Sequence, residues 1–84
     1  MPLRFGDSVS TAQTEYGTVL LDERVGAYWE LNPTATLVVQ TLRDGGEEAD
    51  AAAALVREFD ADEAQALRDV EELVRQLRES GLAS

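Results

Sequence analysis

Among side chains able to do chemistry, the carboxylates Asp60, Asp62 and Glu63 come nearest to forming a group, and Ser8, Ser10 and Ser80 are candidate nucleophiles. Carboxylates so close together can act as general acid and base or bind a cation. Here they fall where a helical pattern begins. Asp60 followed by Glu63 has the spacing of a capping box, so capping accounts for them without catalysis. The serines lack an activating base, because the 84-residue sequence contains no histidine. It contains no cysteine either, which removes thiol nucleophiles, disulfides and thiolate metal sites. No EF-hand loop, phosphate-cradling glycine loop or zinc spacing is present. Asp7-Ser8-Val9 lies in a strand-like stretch, whereas the phosphopantetheine serine of a carrier protein belongs to Asp-Ser-Leu at a helix start. The expectation is a protein that is not an enzyme, with no catalytic residue, no cofactor and no metal.

Charge narrows the partners. The net charge is −10, and every cation is an arginine. Residues 44–84 hold twelve acids against Arg57, Arg68, Arg75 and Arg78, while residues 1–43 hold five against Arg4, Arg24 and Arg43. An acidic second half repels phosphate backbones and anionic lipid and favours a basic partner, besides keeping a small protein soluble. Neither nucleic acid nor membrane is an expected partner. The start, "MPLRFGDSVS", has no apolar core for a signal peptide, and no apolar run reaches membrane-spanning length. One soluble, cytoplasmic domain over residues 1–84 is expected, with its core at about 9–82.

The elements that carry these groups are legible. "SVSTAQTEYGTVLLDERVGAYWELN" is rich in Val, Thr, Tyr and Trp. Turns at Tyr16-Gly17 and Asp22-Glu23-Arg24 divide it into strands near 8–14, 17–22 and 26–31. Alternation puts Ala27, Trp29 and Leu31 on one face of the third strand, the core side because Leu31 abuts the first helix, and Tyr28 and Glu30 on the other. Asn32 and Pro33 then start a helix as N-cap and first residue, with Ala35, Val38, Val39 and Leu42 as its stripe. Gly45-Gly46 ends it. Glu47, Glu48 and Asp50 begin a second helix with the stripe Ala52, Leu55, Val56 and Phe59. The third carries two adjoining apolar lines, 66/70/73/77 and 67/70/74/77, and ends at Gly81-Leu82. Leu67 and Val74, at the edge of this wide face, are available to a ligand unless both lines are core.

Three strands followed by three helices is an α+β, winged-helix-like order. Within it, Gly17 with Val19-Leu20-Leu21-Asp22, the run Tyr28-Trp29-Glu30-Leu31-Asn32, Leu42, Gly45, Phe59, Asp69-Val70, Leu73, Leu77 and Gly81-Leu82 occur at ordered spacings. From about residue 9 to the end, this pattern resembles the PqqD-like family of precursor-peptide recognition elements. The resemblance implies a non-catalytic module that binds the leader segment of a ribosomally made precursor peptide. The leader would add as a strand antiparallel to the third strand, in a groove between that strand and the third helix. Carried onto this chain, one wall is Ala27, Tyr28, Trp29, Glu30 and Leu31, and the other is Leu67, Val70, Glu71 and Val74. The resemblance is greatest to the stand-alone recognition proteins of lasso-peptide biosynthesis. It implies as partners a basic leader, a leader peptidase and an ATP-dependent macrolactam-forming cyclase. A peptide chaperone for a radical SAM enzyme and a general acidic adaptor remain as alternatives. An unpaired edge can also pair with itself, so a monomer or weak dimer is expected. A DNA-binding winged helix is disfavoured, since Arg68, Arg75 and Arg78 sit among Asp69, Glu71, Glu72 and Glu79.

Overall fold

The computed structural model describes residues 3–15 and 17–84. Three strands, β1 (Val9–Thr14), β2 (Gly17–Asp22) and β3 (Ala27–Leu31), precede three helices, α1 (Pro33–Arg43), α2 (Glu48–Phe59) and α3 (Glu63–Glu79). The strands form an antiparallel meander in the order β1-β2-β3. Val9 lies opposite Asp22, and Thr18 opposite Leu31. The α+β order and the strand limits match the sequence pattern to within a residue. Tyr16, half of the first expected turn, lies outside the described residues. Its neighbour Gly17 has φ 138°, and a Cβ there would stand 2.6 Å from the Leu31 carbonyl oxygen. Glycine therefore lets β2 begin hard against the end of β3.

Asp22 organises the second turn. Its carbonyl accepts the Gly26 N–H at 2.9 Å. Its carboxylate accepts the Arg24 N–H at 3.0 Å and the Ser8 hydroxyl at 3.2 Å. With the residue 4% exposed, these bonds offset the cost of burying a charged group.

Helix ends follow local chemistry. The Asn32 side chain accepts the Ala35 N–H at 2.8 Å, and Pro33 occupies a first-turn position that needs no donor. At the other end Gly45 turns at φ 93°. There the Gly46 and Gly45 N–H groups donate to Thr41 and Leu42, the two bonds of a Schellman motif. α3 ends alike: Gly81 has φ 83°, and Leu82 and Gly81 donate to Leu77 and Arg78. Asp60 differs from its expected role. It closes α2 in the left-handed conformation, φ 54°, while Asp62 caps α3 by accepting the Gln65 N–H at 3.1 Å. The tight α2–α3 turn needs one residue at positive φ, which Asp tolerates better than most.

The helices cover one face of the sheet. α1 packs on β2 and β3, α2 on α1, and α3 on α2. Leu20, Val39, Leu42, Val70 and Leu77 form the fully buried centre. α2, held between two helices, buries Ala51, Ala52, Ala54 and Leu55, leaving Val56 half-buried and Phe59 exposed. The chain ends tie α3 back to the sheet. Arg4 and Ser84 exchange backbone hydrogen bonds at 2.9 and 2.7 Å, Gly6 donates to Leu82 at 3.1 Å, and the Arg43 guanidinium lies 5.7 Å from the Phe5 ring centre. Among the described residues no helix is long and apolar enough to cross a membrane.

Asp22→Ala should cost about 1–3 kcal/mol in urea unfolding, because it strands the Ser8 hydroxyl and the Arg24 N–H. Asp22→Asn keeps an acceptor and should cost less.

Candidate functional site

The pairing of β2 with its two neighbours determines which backbone groups of β3 remain outward. Glu23 N–H donates to the Ser8 carbonyl at 3.0 Å, so the Ser8–Glu23 pair is a hydrogen-bonded one. Alternation along an antiparallel ladder then directs the amides of Leu21 and Val19 toward β1, and those of Asp22, Leu20 and Thr18 toward β3. Their partners Ala27, Trp29 and Leu31 therefore use their N–H and C=O groups on β2. Tyr28 and Glu30 turn theirs to the free edge, and among the described residues no further strand pairs there. The site offers a short row of backbone donors and acceptors for an extended segment.

The side chains follow the same alternation. Ala27 is exposed, Trp29 is half-buried against the core and Leu31 is 4% exposed, all on the helix side. Tyr28, 64% exposed, stands on the opposite face across from Leu21, with Glu30 beside it. Trp29 is thus the aromatic that a ligand between strand and helix would meet.

α3 departs from the expected second wall. Its buried line is Ala66, Val70, Val74 and Leu77, with Val70 0% and Val74 2% exposed. Val70 and Val74 are core side chains and offer a ligand no surface here, and Leu31 on β3 is similarly covered. Leu67, 41% exposed, lies with Ala49, Ala52, Ala53 and Val56 in the groove between α2 and α3. Glu71 is exposed one turn further along that same flank. The opposite flank, with Asp69, Glu72, Leu73 and Gln76, is the one that lies beside Asn32 and Thr34, directly after β3. Leu73 belongs to the apolar line 66/70/73/77 visible in the sequence. The rotation that puts it on the β3 side depends on how α3 packs against α2, which periodicity does not specify.

The charges on α3 are partly neutralised by near neighbours. Arg75 hydrogen-bonds Glu72 and donates to Glu79 at 3.0 Å. The Arg75 guanidinium holds the Glu72 carboxyl below the usual carboxylate range, and the two acids raise Arg75 above its ordinary value. Asp69 accepts only a neutral donor, Gln65 at 2.8 Å, among the described residues. Asp60 and Asp62 serve as helix ends, and among the described residues no group of three acids is placed to hold a metal.

A sheet edge left open beside a helical layer is the geometry of strand addition, and it defines the class: a small α+β module of three strands and three helices. The chain belongs to the PqqD family, whose sequence profile, described as coenzyme PQQ synthesis protein D (PqqD), matches residues 17–83. A solved structure of lasso peptide synthetase B1 complexed with the leader peptide matches with a TM-score of 0.91 and 46% sequence identity, over 100% of this chain and 99% of that one. TbiB1 in complex with the TbiA(beta) leader peptide matches with a TM-score of 0.87 over 96% of this chain and 94% of that one. At 23% identity that second likeness is one of fold. No curated protein matches the sequence.

The ladder assignment is testable by stability alone. Trp29→Pro should be less stable than Trp29→Ala by about 1–3 kcal/mol, since it removes an inward donor. Tyr28→Pro and Glu30→Pro should stay within about 1 kcal/mol of their alanine counterparts in denaturant titrations, since only edge donors are lost.

Proposed function

We propose that this chain captures the leader segment of a ribosomally synthesised precursor peptide as a fourth strand on β3, acting as one non-catalytic recognition domain over residues 1–84. The observation that carries this is the outward row of Tyr28 and Glu30 backbone groups beside Trp29, in a chain 46% identical to a protein solved with its leader bound. Backbone hydrogen bonds supply sequence-tolerant affinity, and side-chain contacts supply selectivity. Antiparallel addition continues the meander, so the leader would run opposite to β3. The similarity to a lasso synthetase component favours lasso-peptide biosynthesis over service to a radical SAM enzyme. The bound leader would then be presented to a leader peptidase and to an ATP-dependent cyclase forming the macrolactam. The acidic helices favour basic leaders and speed their association.

Isothermal titration against a synthetic leader, from the precursor encoded beside this protein's gene, tests the proposal. One-to-one binding is expected, with a dissociation constant on the order of nanomolar to micromolar and weaker binding as salt rises. Tyr28→Pro and Glu30→Pro should each weaken binding about tenfold or more while remaining folded. A protein that binds no leader, or whose folded proline variants bind as tightly as the original, would sink the strand-addition mechanism.

A further inference from the structure

The sheet has a second open edge, and its chemistry differs from that of β3. The alternation that turns Tyr28 and Glu30 outward also commits Ser10 and Ala12 to β2 and turns the backbone groups of Thr11 and Gln13 to the outside of β1. Among the described residues no strand pairs there. We propose that this edge is a homodimer surface: β1 pairs antiparallel with β1 of a second copy, leaving both β3 edges free.

Natural edge strands are protected by charge, by proline or by a bulge. β1 has none of these. Its sequence, VSTAQT, is uncharged in a chain in which 29% of residues are charged. Its register against β2 runs unbroken from Val9 to Thr14, and Thr11, Ala12 and Gln13 are exposed. β3, by contrast, carries Glu30 at its edge. A basic peptide finds no acid within β1 to attract it, whereas a neutral strand finds no charge there to desolvate.

The helix side of this edge favours the same occupant. A polar groove of about 340 Å³ lies between β1 and α1, with Thr11 and Gln13 on one wall and Thr36, Gln40, Arg43 and Asp44 on the other. An incoming strand places alternate side chains over it, and hydroxyl and amide groups are what this lining can pair with. β1 of a second copy supplies both, as Thr11 and Gln13.

Charge at the strand ends selects the register. A two-fold axis at Thr11 would set Asp7 opposite Glu15 of the second copy, a pair of like charges. An axis at Ala12 avoids this. It sets Thr11 opposite Gln13 of the second copy in hydrogen-bonded pairs, and the two Ala12 residues opposite each other in a non-hydrogen-bonded pair, with Cα atoms about 4.5 Å apart. The two three-stranded sheets then continue into one, with the helices of both copies on the same side. So short an interface falls below the roughly 1,200 Å² of stable complexes, and each copy carries a charge of −10. The dimer is therefore weak and tightens as salt screens the repulsion, the reverse of the salt response of a basic leader.

Sedimentation velocity without any leader tests the dimer, so its outcome is independent of leader capture. The full chain should pass from monomer to dimer with a dissociation constant on the order of 10 µM to 1 mM, about threefold or more tighter in 0.5 M than in 0.05 M salt. Thr11→Pro removes an outward donor and Thr11→Asp charges the edge; both should stay monomeric with an unchanged far-UV circular dichroism spectrum. Because the sequence has no cysteine, Ala12→Cys supplies a single thiol, and Ala53→Cys, exposed on α2, is its control. Mild oxidation should link Ala12→Cys into a dimer about tenfold faster than the control, since a Cα separation of about 4.5 Å is within disulfide reach. A chain that stays monomeric at about 1 mM in high salt, or an Ala12→Cys variant that links no faster than Ala53→Cys, overturns the proposal. A dimer that survives both Thr11→Pro and Thr11→Asp overturns it as well.

Discussion

The antiparallel pairing of β2 with β3 sets the terms for the rest of the molecule. β2 spends both of its hydrogen-bonding edges, one on β1 and one on β3, and its inner side chains Thr18, Leu20 and Asp22 are all buried. With β2 saturated, β3 contributes Ala27, Trp29 and Leu31 to the ladder and leaves Tyr28 and Glu30 at the rim. Gly17, whose missing Cβ admits the Leu31 carbonyl, and Asp22, whose carboxylate closes the next turn, hold the two ends of this pairing. An edge strand exposes backbone groups that other chains can pair with, and here Tyr28 and Glu30 leave such groups open.

The second constraint is the seating of α3. The helix packs on α2, and its C-terminal Schellman turn buries Leu82 while Arg4, Gly6, Leu82 and Ser84 join the chain ends in a short ladder. These attachments fix α3 relative to the sheet and leave one flank, with Asp69, Leu73 and Gln76, near the end of β3. Leu73 and the acids Asp69 and Glu72 consequently share one flank of the same helix. The acids lie along solvent, where their attraction for cationic groups is long in range and sensitive to salt.

Much of this architecture was legible. The Asn32-Pro33 start, the Gly45-Gly46 and Gly81-Leu82 stops and the alternation of Tyr28 and Trp29 are local signals, because each concerns backbone groups within a few residues. Other assignments failed where two local signals competed. Asp60 and Asp62 both suit a cap, and the length of the turn gave α3 to Asp62. Phe59 fits the α2 stripe, but the sandwiched helix buries Ala51 and Ala54 instead. Of the two adjoining lines on α3, packing buries members of both, Ala66, Val70, Val74 and Leu77, and leaves Leu67 and Leu73 at the flanks.

By itself, then, the sequence determined the order of elements, the start and stop of α1, the stop of α3, the inward and outward faces of β3 and the absence of histidine and cysteine chemistry. These depend on period, composition and hydrogen bonds between near neighbours. Tertiary structure alone decided which flank of α3 looks toward β3, which apolar residues stay exposed, and that Phe59, Leu73 and Asp69 meet in one pocket. The reason is geometric. A helix with a wide apolar face has several rotations of similar burial, and only the simultaneous packing of α1, α2, the sheet and the chain ends selects one of them.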